Sequence, residues 1–187
     1  MDLNKLSQQL SGTAQSALPP VEKWDPPFCG DLNMEIALDG RWYYENSPIG
    51  RASLVRLFST VLKKEGDKYF LVTPVEKVGL RVADVPFVFT DWRREGDTLT
   101  FTTQTGDEVV LTDTDQFTLR PPPADLADED ATPIPYIRVR RNLWGRLNQS
   151  AYYRLIDAAT QHESASGDIS LSIDSAGTTF TVGRLSA

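Results

Sequence analysis

Two stretches of this sequence follow the same order of elements, and a 187-residue chain built that way folds as two small units more readily than around one core. In the first, Arg41-Trp42-Tyr43-Tyr44 is followed by Gly50-Arg51 and then by Leu54-Val55-Arg56-Leu57-Phe58. In the second, Ile137-Arg138-Val139-Arg140 is followed by Gly145-Arg146 and then by Tyr152-Tyr153-Arg154-Leu155-Ile156. Leu54 follows Gly50 by four positions and Tyr152 follows Gly145 by seven, so the second copy carries a three-residue insertion. A Gly-Asp pair then precedes a hairpin in each copy, Gly66-Asp67 before Tyr69 and Gly167-Asp168 before Ile169. Chance likeness between two generic strand-helix-hairpin units is the competing explanation. If the repeat is real, Gly-Arg occupies the same place in both halves. The expected fold class is α+β, two small domains with a duplicated strand-helix-hairpin motif, their antiparallel sheets each packed by a helix.

Local punctuation sets the boundaries. Leu3, Leu6, Leu10, Ala14 and Ala17 recur at three-to-four spacing, which predicts a weakly amphipathic helix over 2–18 that Pro19-Pro20 ends. With its linker it forms a helical appendage over 1–23, docked or frayed. Met34 to Leu38 alternates, Asp39-Gly40 signals a type I′ turn, and Arg41 to Tyr44 returns as the second strand. Ser47 as N-cap and Pro48 at the first helical position open a helix over 47–65, whose stripe of Leu54, Val55, Leu57, Phe58, Val61 and Leu62 faces the core. Tyr69 to Val72 and Val78 to Val82 are strands joined by a loop holding Glu76 and Lys77, and Pro86 closes a first domain, 24–86. The second, 87–187, opens with strands Phe87 to Arg94, Thr98 to Thr103 and Glu108 to Leu111, then adds Phe117 to Arg120. Pro121-Pro122-Pro123 makes 121–135 an exposed excursion, and a second helix spans 147–160.

Charge is distributed unevenly. The formal net charge of -7 argues against general nucleic-acid binding, which needs a basic footprint. Yet Tyr136 to Arg154 holds five arginines (Arg138, Arg140, Arg141, Arg146 and Arg154) and no acid, whereas Asp107 to Asp130 holds eight acids and one base, Arg120. Either the acidic stretch folds over the basic strand and each screens the other, or the arginines await a ligand anion. Strand alternation places Arg138, Arg140 and Asn142 on one face, and the following helix N-terminus adds partial positive charge. Arginine forks match carboxylate or phosphate oxygens. Trp144, Tyr152 and Tyr153 lie close enough in sequence to stack on a ring or to serve the core.

Other chemistries are thinly represented. One cysteine excludes an intramolecular disulfide and a thiolate zinc site; Cys29, without a neighbouring His or Lys, reads as a buried, inert thiol. His162, the one histidine, reads as the fraying end of the second helix, so a two-histidine metal site is excluded and no cofactor is expected. Neither a Gly-x-x-x-x-Gly-Lys-Ser/Thr loop nor a Gly-x-Gly-x-x-Gly turn occurs. Asp113-Thr114-Asp115 would align its carboxylates only as strand, and residues 125–130 lack the glycine and glutamate of a calcium loop. No apolar run is long enough to span a membrane, and the N-terminus lacks a basic leader and an apolar stretch, so the expected address is the cytoplasm.

At this point the motifs combine. Trp24-x-Pro26, Gly30-Asp31, Met34-x-Ile36, Asp39-Gly40, Ser47-Pro48-Ile49-x-Arg51, Leu54-Val55-x-Leu57-Phe58, Leu71-Val72-Thr73-Pro74-x-Glu76-Lys77, Val82-x-Asp84 and Pro135-Tyr136 resemble the bacterial family catalogued as domain of unknown function 1285, over about residues 24 to 157. That resemblance implies a duplicated two-domain α+β fold, a second domain superficially similar to pleckstrin-homology folds, a cleft between domains holding a nucleotide-like ligand, and a role in signalling. It carries no catalytic assignment.

Three expectations from different classes follow. The favoured one is a ligand-binding regulatory protein, not an enzyme, in which Arg51, Lys77, Arg138, Arg140, Asn142, Arg146 and Tyr152 take an anionic or nucleotide-like small molecule in the interdomain cleft. The second is a protein-interaction adaptor with a protein partner at an exposed strand edge or at the acidic loop. The third is an enzyme, which would require a deep pocket with convergent carboxylates.

Overall fold

The structure is a computed structural model and describes residues 2–11 and 17–185. The chain divides into two compact units, 1–86 and 87–187. The first contains α1 (Leu3–Leu10), β1 (Phe28–Ile36), β2 (Trp42–Tyr44), β3 (Ser47–Pro48), α2 (Ala52–Ser59), β4 (Leu62–Glu65), β5 (Lys68–Val72) and β6 (Lys77–Val82). The second contains β7 (Phe87–Glu95), β8 (Thr98–Thr103), β9 (Glu108–Leu111), β10 (Phe117–Arg120), β11 (Ile134–Arg140), β12 (Leu143–Leu147), α3 (Gln149–Ala158), β13 (Thr160–Glu163), β14 (Ile169–Ser175) and β15 (Thr178–Leu185). No helix among the described residues is long and apolar enough to cross a membrane.

The expected order of strand, helix and hairpin recurs inside a longer one: hairpin, helix, three-stranded meander occurs as β2-β3, α2, β4-β5-β6 and again as β11-β12, α3, β13-β14-β15. The pairing differs. In the first unit all six strands share one sheet, β3-β2-β1-β6-β5-β4. In the second, the meander forms its own sheet, β13-β14-β15, while β11 and β12 join β10-β11-β12-β7-β8-β9. Neither six-stranded sheet is purely antiparallel as expected, because β1 meets β6 and β12 meets β7 in parallel. Each parallel pair joins strands far apart in sequence, a connection that hairpin signals cannot reveal.

Several local expectations are corrected. The Asp39-Gly40 hairpin forms, with Ile36 opposite Trp42, but only Gly40 has positive φ and the turn is Ala37 to Gly40, so it is a longer loop with a left-handed glycine rather than type I′. Both central residues of the next turn, Glu45 and Asn46, do have positive φ, and this tight turn sets Ser47 and Pro48 against β2 as an edge strand. Proline is tolerated there because an edge needs no second ladder bond. The helix expected from Ser47 therefore begins at Ala52, with Arg51 at its N-cap making no side-chain cap, and Leu62 is already in β4. Cys29 is exposed, not buried, its Sγ donating to the Pro27 carbonyl at 3.2 Å, because it opens the solvent-facing end of β1. His162 lies in β13 rather than at a helix end, 2.9 Å from the Ser172 hydroxyl.

The cores follow from these faces. In the first unit Phe58 of α2 lies against Trp42, and Val61, Met34, Ile36, Leu71 and Val78 are buried as well. Leu6 and Leu10 are fully buried as well, and Gln9 accepts from Thr73 Oγ1 at 3.1 Å while donating to Glu76 at 3.2 Å, so α1 is docked and not frayed. Ala14 of the expected stripe lies outside the described residues. In the second unit Phe89, Phe101, Leu111, Ile137 and Leu147 of the large sheet meet Leu155 of α3 and Ile173, Phe180 and Val182 of the small sheet.

Gly145 marks how closely that second core is packed. A Cβ there would stand 2.6 Å from Phe89 Cε2 and 3.1 Å from Phe87 Cβ, and both rings are buried. Gly145→Ala should therefore lower stability by about 1–3 kcal/mol, the range for an overpacked core, as read from the urea midpoint. A midpoint equal to that of the wild type would show that the two rings yield freely.

Candidate functional site

Burial and pairing divide the seven residues named from the sequence. Arg51 and Lys77 belong to the first unit; Arg138, Arg140, Asn142, Arg146 and Tyr152 belong to the second. Arg51 is exposed at the start of α2. Lys77 Nζ donates to Glu65 at 3.0 Å and lies 4.7 Å from the centre of the Phe70 ring, while Lys63 approaches the same carboxylate at 3.2 Å. The hydrogen bond from Lys77, with help from Lys63, holds the Glu65 carboxyl below its ordinary range against a smaller desolvation effect.

The arginine row does not project as one patch. The β11-β12 ladder shifts register between Arg138 and Arg140, which breaks the expected alternation, and each guanidinium meets its own carboxylate. Arg138 donates to Asp115 at 2.8 Å and Arg140 to Asp107 at 2.9 Å. Arg154 pairs with Asp91 and sits 5.1 Å from the Trp92 ring centre. Screening by acids thus prevails for these three, although the acids are Asp91, Asp107 and Asp115 and not those of 125–130. Asp113 is the N-cap of a 3-10 turn over Thr114–Gln116, so Asp113 and Asp115 do not share a strand face. Asn142 is exposed in the β11-β12 turn.

Asp107 is the most elaborate of these partners. Its carboxylate accepts from Thr105 Oγ1 at 2.6 Å and Thr103 Oγ1 at 3.1 Å, and Arg140 lies over the Phe87 ring at 4.9 Å. Burial pushes the Asp107 carboxyl up, but the two hydroxyls and the Arg140 charge outweigh it and leave the group below its ordinary range. Burial likewise pushes the Arg140 guanidinium down, with Asp107 opposing it.

Arg146 belongs to the neighbouring strand. It lies within β12, opposite Tyr136, and only 5% of it is exposed, so it is not equivalent in place to Arg51. It borders a concavity of about 370 Å³ in the second unit. Tyr152 and Tyr153 of α3 form one wall, their ring centres 6.2 Å apart and tilted by 36°. Leu126, Asp128 and Asp130 of the proline-led excursion border it too. Burial raises the Tyr152 hydroxyl above its ordinary range, so it is a neutral donor at physiological pH. The Tyr153 hydroxyl accepts from Gln149 Nε2 at 2.9 Å. A cation with little access to water, two phenols and apolar side chains can together hold an anionic group attached to a flat body.

Comparison with known proteins now fits this architecture. Residues 19–85 match the N-terminal domain and residues 86–182 the C-terminal domain of a family described as of unknown function, DUF1285. The chain belongs to the DUF1285 family. The crystal structure of a DUF1285 family protein from Silicibacter pomeroyi DSS-3 at 2.50 Å resolution is 36% identical, with a TM-score of 0.81 over 98% of this chain and 96% of that one. That of a DUF1285 family protein from Shewanella baltica OS155 at 1.40 Å resolution is 30% identical, with a TM-score of 0.53 over 67% of this chain and 91% of that one. No match was found among curated proteins. The boundary between the two DUF1285 domains falls within one residue of the division between the compact units.

The N-terminal DUF1285 domain also carries a concave surface that sequence reasoning passed over. The register puts Tyr43, Glu35 and Arg81 in one row across β2, β1 and β6. A second row on the same face runs Asp31, Gly79, Phe70, Lys63 across β1, β6, β5 and β4. Two concavities of about 620 and 240 Å³ open on this face and share Glu35 and Arg81. Alternating polar residues in β1 were the only sequence signal, and alternation alone reads as a solvated face.

Proposed function

We propose that this DUF1285 protein is a cytoplasmic ligand-binding regulatory protein that takes an anionic, nucleotide-like small molecule in the Arg146 pocket without performing chemistry on it. The observation that carries this reading is the placement of a largely buried arginine and two tyrosine side chains around one concavity in the second unit. Asp128 and Asp130 refine the fit. Two carboxylates lining the same concavity as one guanidinium repel a polyphosphate but accept hydroxyl or amino donors, so a single phosphate on a nucleoside-like body is the best match.

A thermal-shift screen of nucleoside monophosphates against the corresponding di- and triphosphates tests this. A monophosphate present at 100 times its dissociation constant should stabilise the second unit by about 2.7 kcal/mol. Arg146→Gln should weaken that binding by roughly one to two orders of magnitude, the loss of a charge-assisted hydrogen bond. Arg138→Gln should leave it unchanged. Stabilisation by no nucleotide, or equal stabilisation of wild type and Arg146→Gln, would overturn the reading.

One observation favours an adaptor as the second reading. Strand β13 is an edge of the small sheet and all four of its residues, Thr160 to Glu163, are exposed, so its outer backbone groups can receive an added strand. Gln161→Pro would remove one such donor and should then abolish partner binding while nucleotide stabilisation persists.

A further inference from the structure

We infer that the open face of the first unit's sheet is a second binding site, independent of the Arg146 pocket, for a neutral hydroxyl-rich chain such as a short oligosaccharide. The face is built, not incidental. Gly79 has no side chain, and the Asp31 carboxylate lies in the space a Cβ would fill, with Oδ1 only 2.0 Å from that position. The Asp31 carboxylate therefore closes over the Gly79 backbone beside Phe70, and Arg81 stands two residues further along β6. Two adjoining concavities that share Glu35 and Arg81 extend over β5, β6, β1 and β2, three inter-strand spacings or about 14 Å, which is the reach of a chain and not of a single small ring.

Charge selects the ligand class by elimination. Asp31, Glu35 and Asp67 line the groove together with Lys68 and Arg81, so both signs occur along its length. An anion meets three carboxylates, a cation meets two basic groups, and an apolar chain would strip water from all of them. Neutral hydroxyls can donate to carboxylates and accept from a guanidinium in the same groove. Arg81 already shows this bridging geometry, donating to Asn33 Oδ1 at 3.0 Å and standing 3.8 Å from Glu35 Oε2. Tyr43, together with Asn33 and Asn46 in the smaller concavity, and Phe70 in the larger one add amide groups and ring surface, which suit the alternating polar edge and C–H face of a sugar.

The test is titration of the full chain with a panel of neutral di- and trisaccharides of different linkage, followed by amide chemical shifts and calorimetry. At least one trisaccharide should bind saturably, with shifts centred on β1, β6 and Tyr43. Glu35→Gln and Arg81→Gln should each weaken it about tenfold or more, the fold-change expected for one lost charge-assisted hydrogen bond, and Arg146→Gln should leave it unchanged. Asn33→Ala serves as a third variant should either charge substitution impair folding, which the thermal melt reports. Absence of saturable binding by every saccharide overturns the site. Preferential binding of inorganic phosphate or of a lysine-rich peptide to this face overturns the ligand class, and a saccharide effect lost in Arg146→Gln but kept in Glu35→Gln overturns its location.

Discussion

Phe58→Ala should lower the stability of the first unit by about 3–5 kcal/mol, the cost of a cavity left by a large buried ring. Phe58 is fully buried and its ring lies 6.5 Å from that of Trp42, which is itself 2% exposed. Helix α2 is only eight residues long, too short to be stable alone, so its place on the sheet depends on this contact. Trp42 Nε1 has no hydrogen-bond partner among the described residues, so that ring contributes by burial and packing. A loss of this size is a large part of the 5–15 kcal/mol that typical domains possess. Urea denaturation followed by tryptophan emission measures it, and a loss under about 1 kcal/mol would show that α2 does not secure this sheet.

Arg140→Ala should cost about 2–4 kcal/mol of stability in the second unit and leave nucleotide binding intact. Its side chain is 9% exposed and that of Asp107 25%, so removing the guanidinium strands a carboxylate with reduced access to water. The remaining exposure of Asp107 keeps the cost below that of a fully buried pair. Because the Asp107 carboxyl lies below its ordinary range when folded, its contribution is complete above the unfolded value of about 3.9 and is lost as pH falls through the lower folded value. The stability gap between the wild type and Asp107→Asn should accordingly stay constant from neutrality to about pH 5 and shrink below about pH 4. A gap that widens on acidification would mean that the carboxylate is not held in its charged form. If Arg140→Ala instead kept its stability and lost nucleotide binding, Arg140 rather than Arg146 would be the anion ligand.

Much of the architecture was already present in local signals. The strands at Thr98 to Thr103 and Glu108 to Leu111, the order of strand, helix and hairpin, and the exposed excursion after Pro121, which ends at Ile134 where β11 begins and not at 135, all depend on residues within a few positions of one another. Turn residues, proline and alternation act at that range, so the chain announces them. Errors arose where two local signals competed. Ser47-Pro48 suits both a helix start and an edge strand, and the tight Glu45-Asn46 turn against β2 decided for the strand. Val61 and Leu62 extend a helical stripe in sequence, yet Leu62 pairs with Leu71 in β4.

The candidate sites were legible only as composition. The acid-free run of arginines identified Arg138, Arg140 and Arg146 as a group, but it could not show that Asp115 would pair with Arg138 and Asp107 with Arg140, nor that Arg146 would border a pocket with Tyr152. Nor could it show that Asp31 would lie over Gly79 beside Arg81, since those residues come from strands joined only by a parallel pairing between β1 and β6. The sequence by itself determined most of the elements and their order, because turn residues, prolines and side-chain alternation act between near neighbours. Tertiary structure alone decided which charges met, since Coulomb attraction acts between neighbours in space: the sheet set Asp115 beside Arg138 and Asp107 beside Arg140, and the parallel pairing of β1 with β6 set Glu35 beside Arg81.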